Sequence, residues 1–325
     1  MKILYSLILF FVPYFALAQH TFSIVAIDTV TKEIGSAGAT CLSGIKNPPG
    51  AKMISDIIPG RGAIHTQAWY RETNQLIARS RMLAGDSPQQ IIVWLLDHDE
   101  QLTPEKRQYG IVDLDSTGSP RAAGFTGELC DSFKNHISER NYSIQGNILL
   151  GQQILDSMKS RFLATQGTLA DKLMAALQGA KVIGADTRCF QYNTSTLSAF
   201  IRVAKWNNRE DSLYLDLNVP ALPYGYDPID SLQILYDEFI STGIDEYDII
   251  EQNSEYTLQI NSEKILVVQS SESIKGKIVV IYNILGNIVW QGEMNSNTLQ
   301  VDLSLFSKGI HFVKVGNTIG KFVII

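Results

Sequence analysis

The chain has 325 residues, of which 45% are hydrophobic and 18% are charged, a balance that is typical of a globular protein. The length suits one sizeable domain followed by a smaller one. The formal net charge of −6 argues against a nucleic-acid partner, because such proteins need a basic surface to neutralise phosphates.

The N-terminal residues are typical of a secretory signal peptide. Lys2 supplies the positive charge, an apolar run follows, and Ala16-Leu17-Ala18 has the small residues of a cleavage site. A membrane anchor is the alternative, but the run is short for a span and contains Pro13. We therefore predict that residues 1–18 direct export and are removed, which leaves Gln19 as the new N-terminus.

Two strands that open the mature chain organise its fold. Residues 21–28 carry apolar side chains on both faces, a pattern that favours a central strand covered on both sides. A polar turn separates it from a second strand at 34–40, whose small residues allow another backbone to approach closely. Thr21, which begins this hairpin, is therefore expected beside the interior of the fold.

Strands and helices follow the hairpin in groups, not in strict alternation, and this order predicts an α+β fold. One helix is expected to be capped by Asp86 or Ser87, and another by Thr168. The predicted strands are 62–70, 108–114, 121–125, 144–150, 195–206 and 212–219. The predicted helices are 74–84, one that begins at Pro88, 152–163, 169–178 and 228–240.

The character of the sequence changes near residue 250. Residues 227–251 contain eight acidic residues and no Lys or Arg, and residues 244–255 are predicted to form an exposed acidic linker. Beyond the linker only short strands are predicted, a pattern that is typical of a small immunoglobulin-like β-sandwich. These strands are 256–260, 265–269, 277–282, 288–291, 299–303 and 311–315.

Several blocks of sequence, taken in order, resemble one family. The opening TFSIVAID, followed by KE and GSAGA, resembles the start of the family named domain of unknown function 1028. The likeness continues through GAIHTQAWY, RQYGIVD, FTGELC, YSIQGNILLG, LADKLMAALQGAK, GADTR and DPIDSLQ. The resemblance implies an Ntn-hydrolase-like fold, which is a four-layer αββα sandwich, over residues 19–243.

The C-terminal residues resemble a second family. VVIYNILGNIVWQG and VDLSLFSKGIHFVKV are similar to the C-terminal sorting domain of type IX secretion cargo, expected over residues 256–325. His311 stands where an aromatic residue such as Tyr is usual. The resemblance implies export through the periplasm, recognition by the type IX secretion machinery, and a secreted or cell-surface location. A generic immunoglobulin-like accessory module is the alternative.

The first resemblance also implies a chemistry. Ntn hydrolases attack an amide with the side chain of an N-terminal Thr, Ser or Cys. The α-amine of the same residue, with an ordinary pKa of roughly 7.7–8.0, acts as the base. The matching residue is Thr21, but signal cleavage leaves Gln19 and His20 in front of it, so a further cut after His20 is required. Without that cut Thr21 is only a good strand former, and Ser23, the alternative hydroxyl, has the same difficulty.

Six further residues are candidates for the pocket around Thr21. One pair lies in a predicted central strand, one pair interrupts an apolar strand where backbone N–H groups could receive an oxyanion, and one pair could form an ion pair at the rim. Each pair has a structural alternative: buried polar side chains with satisfied hydrogen bonds, a turn, or a bridge that fixes a loop. In order, they are Thr66 and Gln67, Gly146 and Asn147, and Asp186 and Arg188.

The cysteines are Cys41, Cys130 and Cys189. An exported protein lies in an oxidising compartment that permits a disulfide, but spacing does not reveal the pairing, and three buried thiols are the alternative. The family pattern usually lacks cysteine at 41 and 189 and often has it at 130, which suggests a bridge between Cys41 and Cys189. No metal site and no cofactor are predicted, because His65 and His136 are isolated and no metal or phosphate motif is present.

The leading hypothesis is a secreted Ntn-hydrolase-like enzyme that uses Thr21 to cleave an amide bond in an unknown small molecule or peptide. One alternative is a catalytically inactive surface protein of the same fold that binds a small molecule or glycan. Another is a purely structural component of the cell envelope. The oligomeric state stays open, with a homo-oligomer among the alternatives.

Overall fold

The structure is a computed structural model of the chain, and it describes residues 21–242, 251–252, 257–260, 264–270, 276–283, 286–307, 309–316 and 318–324. The predicted signal peptide and most of the predicted linker lie outside the described residues. The chain divides into two compact units, residues 1–235 and 236–325. In the described ranges no helix is both long enough and apolar enough to cross a membrane.

The first unit contains strands β1 to β10 and helices α1 to α5, the last of which continues into the second unit. The strands are β1 (Thr21–Ile27), β2 (Ile34–Thr40), β3 (Ser55–Ile58), β4 (Gly62–Gln67), β5 (Gln108–Leu114), β6 (Pro120–Thr126), β7 (Asn135–Glu139), β8 (Tyr142–Gly146), β9 (Ser198–Ala204) and β10 (Leu215–Val219). The helices are α1 (Glu72–Leu83), α2 (Pro88–Asp97), α3 (Gln152–Ala164), α4 (Leu169–Ala180) and α5 (Pro228–Thr242).

Two antiparallel sheets pack face to face in this unit. The larger has the spatial order β10-β9-β2-β1-β8-β7, which places β1 in its interior, and the smaller has the order β3-β4-β5-β6. Strands β1, β2 and β8 contact the smaller sheet, while α3 and α4 pack on the larger sheet and α1 and α2 on the smaller one. This is a four-layer αββα sandwich, and it confirms the Ntn-hydrolase-like fold that the resemblance implies.

Two of the helices begin at capping boxes. The Ser87 hydroxyl accepts a hydrogen bond from the Gln90 N–H, and the Gln90 side chain accepts one from the Ser87 N–H. Thr168 and Asp171 make the same exchange at the start of α4. Each box satisfies N–H groups that the first turn of a helix leaves unpaired. Of the two residues predicted to cap α2, Ser87 is therefore the one that does so.

Two strands are shorter than predicted because left-handed residues end them. Strand β4 ends at Gln67, and Ala68 and Trp69 follow with φ of 49° and 41°. Strand β8 ends at Gly146, and Ile148 has φ of 53°. The Cβ atom of any residue other than glycine makes this region costly, so such residues break the extended backbone where other contacts hold them.

The layer between the two sheets is apolar at one end and polar at the other. Thr21 and Ser23 lie on the same face of β1 as Val25 and Ile27, because side chains alternate along a strand. The polar end is therefore the end at which β1 begins. The apolar cluster at the other end consists of Val25, Ile27, Ile34, Ile57, Ala63, Val112, Leu114 and Ala204.

Beyond α5, the described residues of the second unit form a small β-sandwich, as predicted. Its sheets have the orders β11-β12-β13-β16 and β15-β14-β17-β18. His311 lies in its core, edge-on to Phe306 and stacked on Phe322 with ring centroids 5.4 Å apart, so it packs as an aromatic residue would. The strands are β11 (Glu251–Gln252), β12 (Thr257–Ile260), β13 (Ile265–Gln269), β14 (Ile278–Asn283), β15 (Ile288–Glu293), β16 (Thr298–Asp302), β17 (Gly309–Val315) and β18 (Thr318–Ile324).

Candidate active site

One end of the larger sheet, where β1 and β9 begin and β2 and β8 end, brings several predicted site residues together. Thr21 begins β1 there and lies opposite Thr40, the last residue of β2. Asn147 follows β8 at the same end of the sheet, and its N–H donates to the Thr21 carbonyl oxygen at 3.1 Å. Three connecting segments leave the sheet at this end, beside Thr21. They are the segments that follow β2 and β8 and the segment that precedes β9.

Thr21 is held by its backbone and not by its hydroxyl. The residue is completely buried, and its carbonyl oxygen also accepts a hydrogen bond from Gln67 Nε2 at 3.1 Å. In the described part of the chain, Thr21 Oγ1 has no hydrogen-bond partner. A buried hydroxyl without a partner is uncommon and requires an explanation, and an unused nucleophile is one such explanation.

Gln108, at the start of β5, joins the predicted residues into one network. Its Oε1 accepts from Gln67 Nε2 at 2.7 Å and from Asn147 Nδ2 at 2.9 Å, while its Nε2 donates to the Gly146 carbonyl at 2.9 Å. Gln67 Oε1 in turn accepts from Ser23 Oγ at 2.6 Å. The Asn147 N–H, predicted to receive an oxyanion, instead donates to Thr21, and Gly146 contributes its carbonyl.

Sequence reasoning missed Gln108, although a signal for it exists. Gln67, Gln108 and Gln145 are buried glutamines that stand within β4, β5 and β8, whose other residues are mostly apolar. A buried glutamine must find several hydrogen-bond partners, because its amide both donates and accepts. Glutamines inside three neighbouring buried strands therefore indicate a shared polar network.

His65 lies at the centre of the buried network. Its Nδ1 is 2.9 Å from Ser23 Oγ and its Nε2 is 2.6 Å from Ser36 Oγ. Burial, helped by the positive charge of Arg202, lowers the pKa of His65 to about 3, so the imidazole is neutral at physiological pH. A neutral imidazole has one donor and one acceptor, which suits a bridge between two hydroxyls. Because all three residues are completely buried, this contact is a structural bridge.

Glycines in the smaller sheet make room for the polar side chains of the larger one. A Cβ atom on Gly110 would lie 2.0 Å from Gln145 Oε1, and one on Gly124 would lie 2.6 Å from Ser138 Oγ. Gln145 uses that space to donate from Nε2 to Ser23 Oγ at 2.7 Å. The glycines in β5 and β6 are thus matched to the polar residues across the interface.

Thr66 does not join this network. Strand alternation places it on the face of β4 opposite to Gln67, together with Ile64, which packs in the cluster under α1 and α2. Its hydroxyl is buried, and among the described residues it has no hydrogen-bond partner. The structure therefore separates Thr66 from Thr21 by the thickness of the smaller sheet.

Asp186 and Arg188 form the ion pair that the sequence predicts. Arg188 Nε and Nη2 lie 3.0 and 2.6 Å from the two carboxylate oxygens of Asp186, which is completely buried. Asp186 Oδ2 also accepts from the Cys41 N–H at 3.1 Å. Cys41 forms a disulfide with Cys189, the pair that the resemblance suggests, with Cα atoms 5.6 Å apart. The ion pair and the disulfide both fix the segment that follows Thr40.

Cys130 is buried and has a free thiol. Its Sγ donates to the Arg107 carbonyl at 3.2 Å, and burial raises the pKa of the thiol to about 11. The protonated thiol is a poor nucleophile, so Cys130 is a packing residue. Among the described residues, no group of three or more His, Cys, Asp or Glu side chains is arranged to hold a metal ion.

Comparison with known families defines the relationship of the chain. Residues 21–232 match the family of unknown function DUF1028. The chain belongs to this family. Residues 255–325 match the secretion system C-terminal sorting domain. No curated protein sequence matches the chain.

The chain is similar to several solved structures, and the one with a TM-score above 0.5 agrees with the family at the level of the fold. A crystal structure of a DUF1028 protein from Silicibacter pomeroyi has a TM-score of 0.54 and 23% identity, over 69% of this chain and 90% of that one. An Anbu mutant from Hyphomicrobium sp. strain MC1 has a TM-score of 0.40 and 10% identity, over 70% and 100% of the two chains. Anbu, an ancestral beta-subunit, from Yersinia bercovieri has a TM-score of 0.39 and 11% identity, over 67% and 94%.

Proposed function

We propose that this protein hydrolyses an amide bond with Thr21 as an N-terminal nucleophile, after cleavage behind His20 has freed the Thr21 amine. The observation that carries the proposal is a buried Thr21 hydroxyl with no partner among the described residues, on a residue whose carbonyl accepts two hydrogen bonds. The match to DUF1028 begins at this same residue, which supports a family domain that starts with Thr21.

The proposed reaction uses groups that Thr21 itself supplies. The α-amine removes the proton from Oγ1 as the oxygen attacks the amide carbon, and the amine then returns a proton to the nitrogen of the leaving group. The C–N bond breaks and an ester to Oγ1 remains, which water hydrolyses by the same route. Gln67 and Asn147 would act by holding the Thr21 backbone, so that the hydroxyl is placed without being consumed by a hydrogen bond.

Export is the part of the function that the sorting domain indicates directly. The sorting domain at residues 255–325 marks a secreted or cell-surface protein and implies an interaction with the type IX secretion machinery. We infer that residues 1–18 first bring the chain to the periplasm and are removed there. A protease that acts after His20, during or after export, would then complete the site.

The first test is the N-terminal residue of the exported protein, measured by mass spectrometry of its terminal peptide. Thr21 at the terminus supports the proposal, whereas Gln19, free or cyclised, contradicts it. The mature protein is then treated with a β-lactone, which should acylate Thr21 at a rate that rises with pH through the ordinary amine pKa of roughly 7.7–8.0. The Thr21→Ala variant should not be labelled, and Thr21→Ser should retain labelling.

A second function is favoured by one observation. Thr21 is completely buried. A buried hydroxyl cannot contact a substrate unless the residues that cover it at this end of the sheet move. A catalytically inactive protein of the same fold, which binds a small molecule or glycan at the cell surface, would have no need of an exposed nucleophile. Absence of labelling on a chain that does begin at Thr21 would contradict the hydrolase function, and binding of a small molecule or glycan by that chain would support this alternative.

A further inference from the structure

Ser23 is a branch point of the buried network beside Thr21. It lies on β1 two residues after Thr21 and on the same face of the strand, and it is completely buried. Its Oγ is 2.6 Å from Gln67 Oε1, 2.7 Å from Gln145 Nε2 and 2.9 Å from His65 Nδ1. A hydroxyl has one hydrogen to donate and two lone pairs that accept, so these three contacts use its full hydrogen-bonding capacity.

These contacts have only one consistent direction. Gln67 Oε1 can only accept and Gln145 Nε2 can only donate, so the Ser23 hydrogen goes to Gln67. His65 Nδ1 must then donate its hydrogen to Ser23 Oγ. Because burial lowers the pKa of His65 to about 3, the ring is neutral and has a single N–H group. His65 Nε2 is therefore an acceptor, and Ser36 Oγ donates to it at 2.6 Å.

The amide of Gln67 is also held on its nitrogen side. Gln67 Nε2 donates to the Thr21 carbonyl oxygen at 3.1 Å and to Gln108 Oε1 at 2.7 Å. Gln108 is fixed in turn, because its Nε2 donates to the backbone carbonyls of Asn135 and Gly146 at 3.1 and 2.9 Å, and a reversed amide would lose both bonds. The two ends of the Gln67 amide thus meet groups of opposite kind, a donor at the oxygen and two acceptors at the nitrogen.

The other neutral form of His65 does not fit this arrangement. With its hydrogen on Nε2, the ring would present a donor to Ser36 and an acceptor to Ser23. Ser23 would then give its hydrogen to His65 and leave Gln67 Oε1 without a donor. A Gln67 amide that turned over to restore this contact would place its oxygen against the Thr21 carbonyl oxygen. Unpaired buried polar atoms are costly, so the hydrogen on Nδ1 and the orientation of the Gln67 amide depend on each other.

We propose that Ser23 and His65 are positioning residues for Thr21. The hydrogen on His65 Nδ1 directs the Ser23 hydroxyl to Gln67, and Gln67 therefore presents its N–H group to the Thr21 carbonyl. Ser23 is not a second nucleophile, because its hydrogen and both of its lone pairs are engaged. The role in the reaction rests on the proposed hydrolase function, whereas the location of the His65 hydrogen is measurable without any reaction.

The first measurement is the nitrogen-15 NMR spectrum of the imidazole rings in the mature full-length protein at pH 7.5. The signals that vanish in His65→Gln belong to His65. A ring nitrogen with a bonded hydrogen has a shift far from that of a ring nitrogen with a lone pair, so the spectrum locates the hydrogen. We expect it on Nδ1 and not on Nε2. A hydrogen on Nε2, or on both nitrogens, would overturn the proposal, and this result does not depend on any change at Ser23.

Ser36→Ala is the matched control for Ser23→Ala. Each change removes a completely buried hydroxyl that contacts His65, but only the Ser23 hydroxyl also contacts Gln67. The carbonyl carbon-13 shift of Thr21 responds to the hydrogen bond from Gln67. We therefore expect this shift to change in Ser23→Ala and to stay in place in Ser36→Ala. Equal changes in the two variants, or no change in either, would overturn the positioning role.

Labelling of Thr21 by a β-lactone separates the positioning role from the hydrolase function. Ser23→Ala should slow labelling about 10-fold or more, because a displaced nucleophile reacts much more slowly, whereas Ser36→Ala should be labelled at nearly the wild-type rate. If wild-type Thr21 is not labelled although the hydrogen lies on His65 Nδ1, the hydrolase function and the positioning role are refuted together. If wild-type Thr21 is labelled and the two variants are slowed equally, the positioning role alone is refuted.

Discussion

At the scale of single residues, the candidate site is defined by a hydroxyl to which the surrounding described side chains make no hydrogen bond. Gln67 and Asn147 both bind the Thr21 carbonyl, and Gln108 positions both of them. Every amide in this set has partners, whereas the Thr21 hydroxyl has none among the described residues. A network that is satisfied everywhere except at one hydroxyl holds that residue rigidly, which is what a positioned nucleophile requires.

His65 makes the stability of this network depend on pH. Its folded-state pKa of about 3 lies below the ordinary 6.5. Between pH 3 and pH 6.5, His65 is therefore protonated in the unfolded chain and neutral in the folded protein. Stability is therefore lost as pH falls below 6.5, by about 2 kcal/mol at pH 5. The His65→Gln variant does not titrate and should lose about 2 kcal/mol less than the wild type between pH 7.5 and pH 5, as measured by urea unfolding.

The control for this prediction is His98→Gln, which changes an exposed histidine at the end of α2. It should show the same loss between pH 7.5 and pH 5 as the wild type. If His65→Gln and the wild type lose equal stability over this interval, His65 is not held neutral by burial, and the network is more hydrated than the structure indicates.

At the scale of elements, a buried arginine fixes the turn that follows β4. Arg107 lies just before β5 and donates to both Asp99 oxygens, at 2.6 and 2.9 Å, and to the carbonyl of Trp69. Trp69 and Ala68 are the left-handed residues that end β4 directly after Gln67. Arg107 therefore stabilises a costly backbone conformation beside the site, while Gln108, its neighbour, faces the network.

Replacing Arg107 should lower the free energy of unfolding strongly. Burial alone would raise the pKa of Asp99, but hydrogen bonds from Arg107 and the Thr103 N–H lower it below its ordinary value, so the carboxylate is charged. Arg107→Met leaves that charge without its partner and should cost about 3–5 kcal/mol in urea unfolding at pH 7. The double variant with Asp99→Asn should recover part of the loss.

The matched control replaces an exposed arginine that also pairs with an aspartate. Arg209 lies 2.9 Å from Asp211 with both side chains largely exposed, so Arg209→Met should leave the unfolding midpoint unchanged. A loss in Arg107→Met no larger than that in Arg209→Met would show that the buried pair does not stabilise the turn.

Elements with a strong pattern are predictable from this sequence, and contacts between distant residues are not. Strands β2 and β5 have the predicted bounds, because each is a compact run of buried residues. Strand β7 (Asn135–Glu139) was not predicted, because it is a half-exposed edge strand without an apolar pattern. Gln108 was also missed, since its amide contacts Gln67 and Asn147, 41 and 39 positions away, and local periodicity carries no information on such contacts.

At the scale of the whole molecule, the two units have separate hydrophobic cores, and they match different families. The first contains the whole match to DUF1028, residues 21–232, and the second contains the match to the sorting domain, residues 255–325. The core of the second unit is built from its own strands, including Leu266, Ile281 and Phe322. A unit with its own core is expected to fold by itself, so each can be removed without unfolding the other.

Deletion of residues 256–325 should therefore block export and leave the first unit intact. In a cell that has the type IX machinery, the truncated protein should remain within the cell envelope, while the full chain appears at the surface or in the medium. Thr21→Ala in the full chain keeps the sorting domain and should be exported normally. Thermal unfolding of the purified truncated protein should match that of the first unit in the full chain. Equal export of the truncated and full chains would show that the export signal lies elsewhere, since the deletion removes strands β12 to β18.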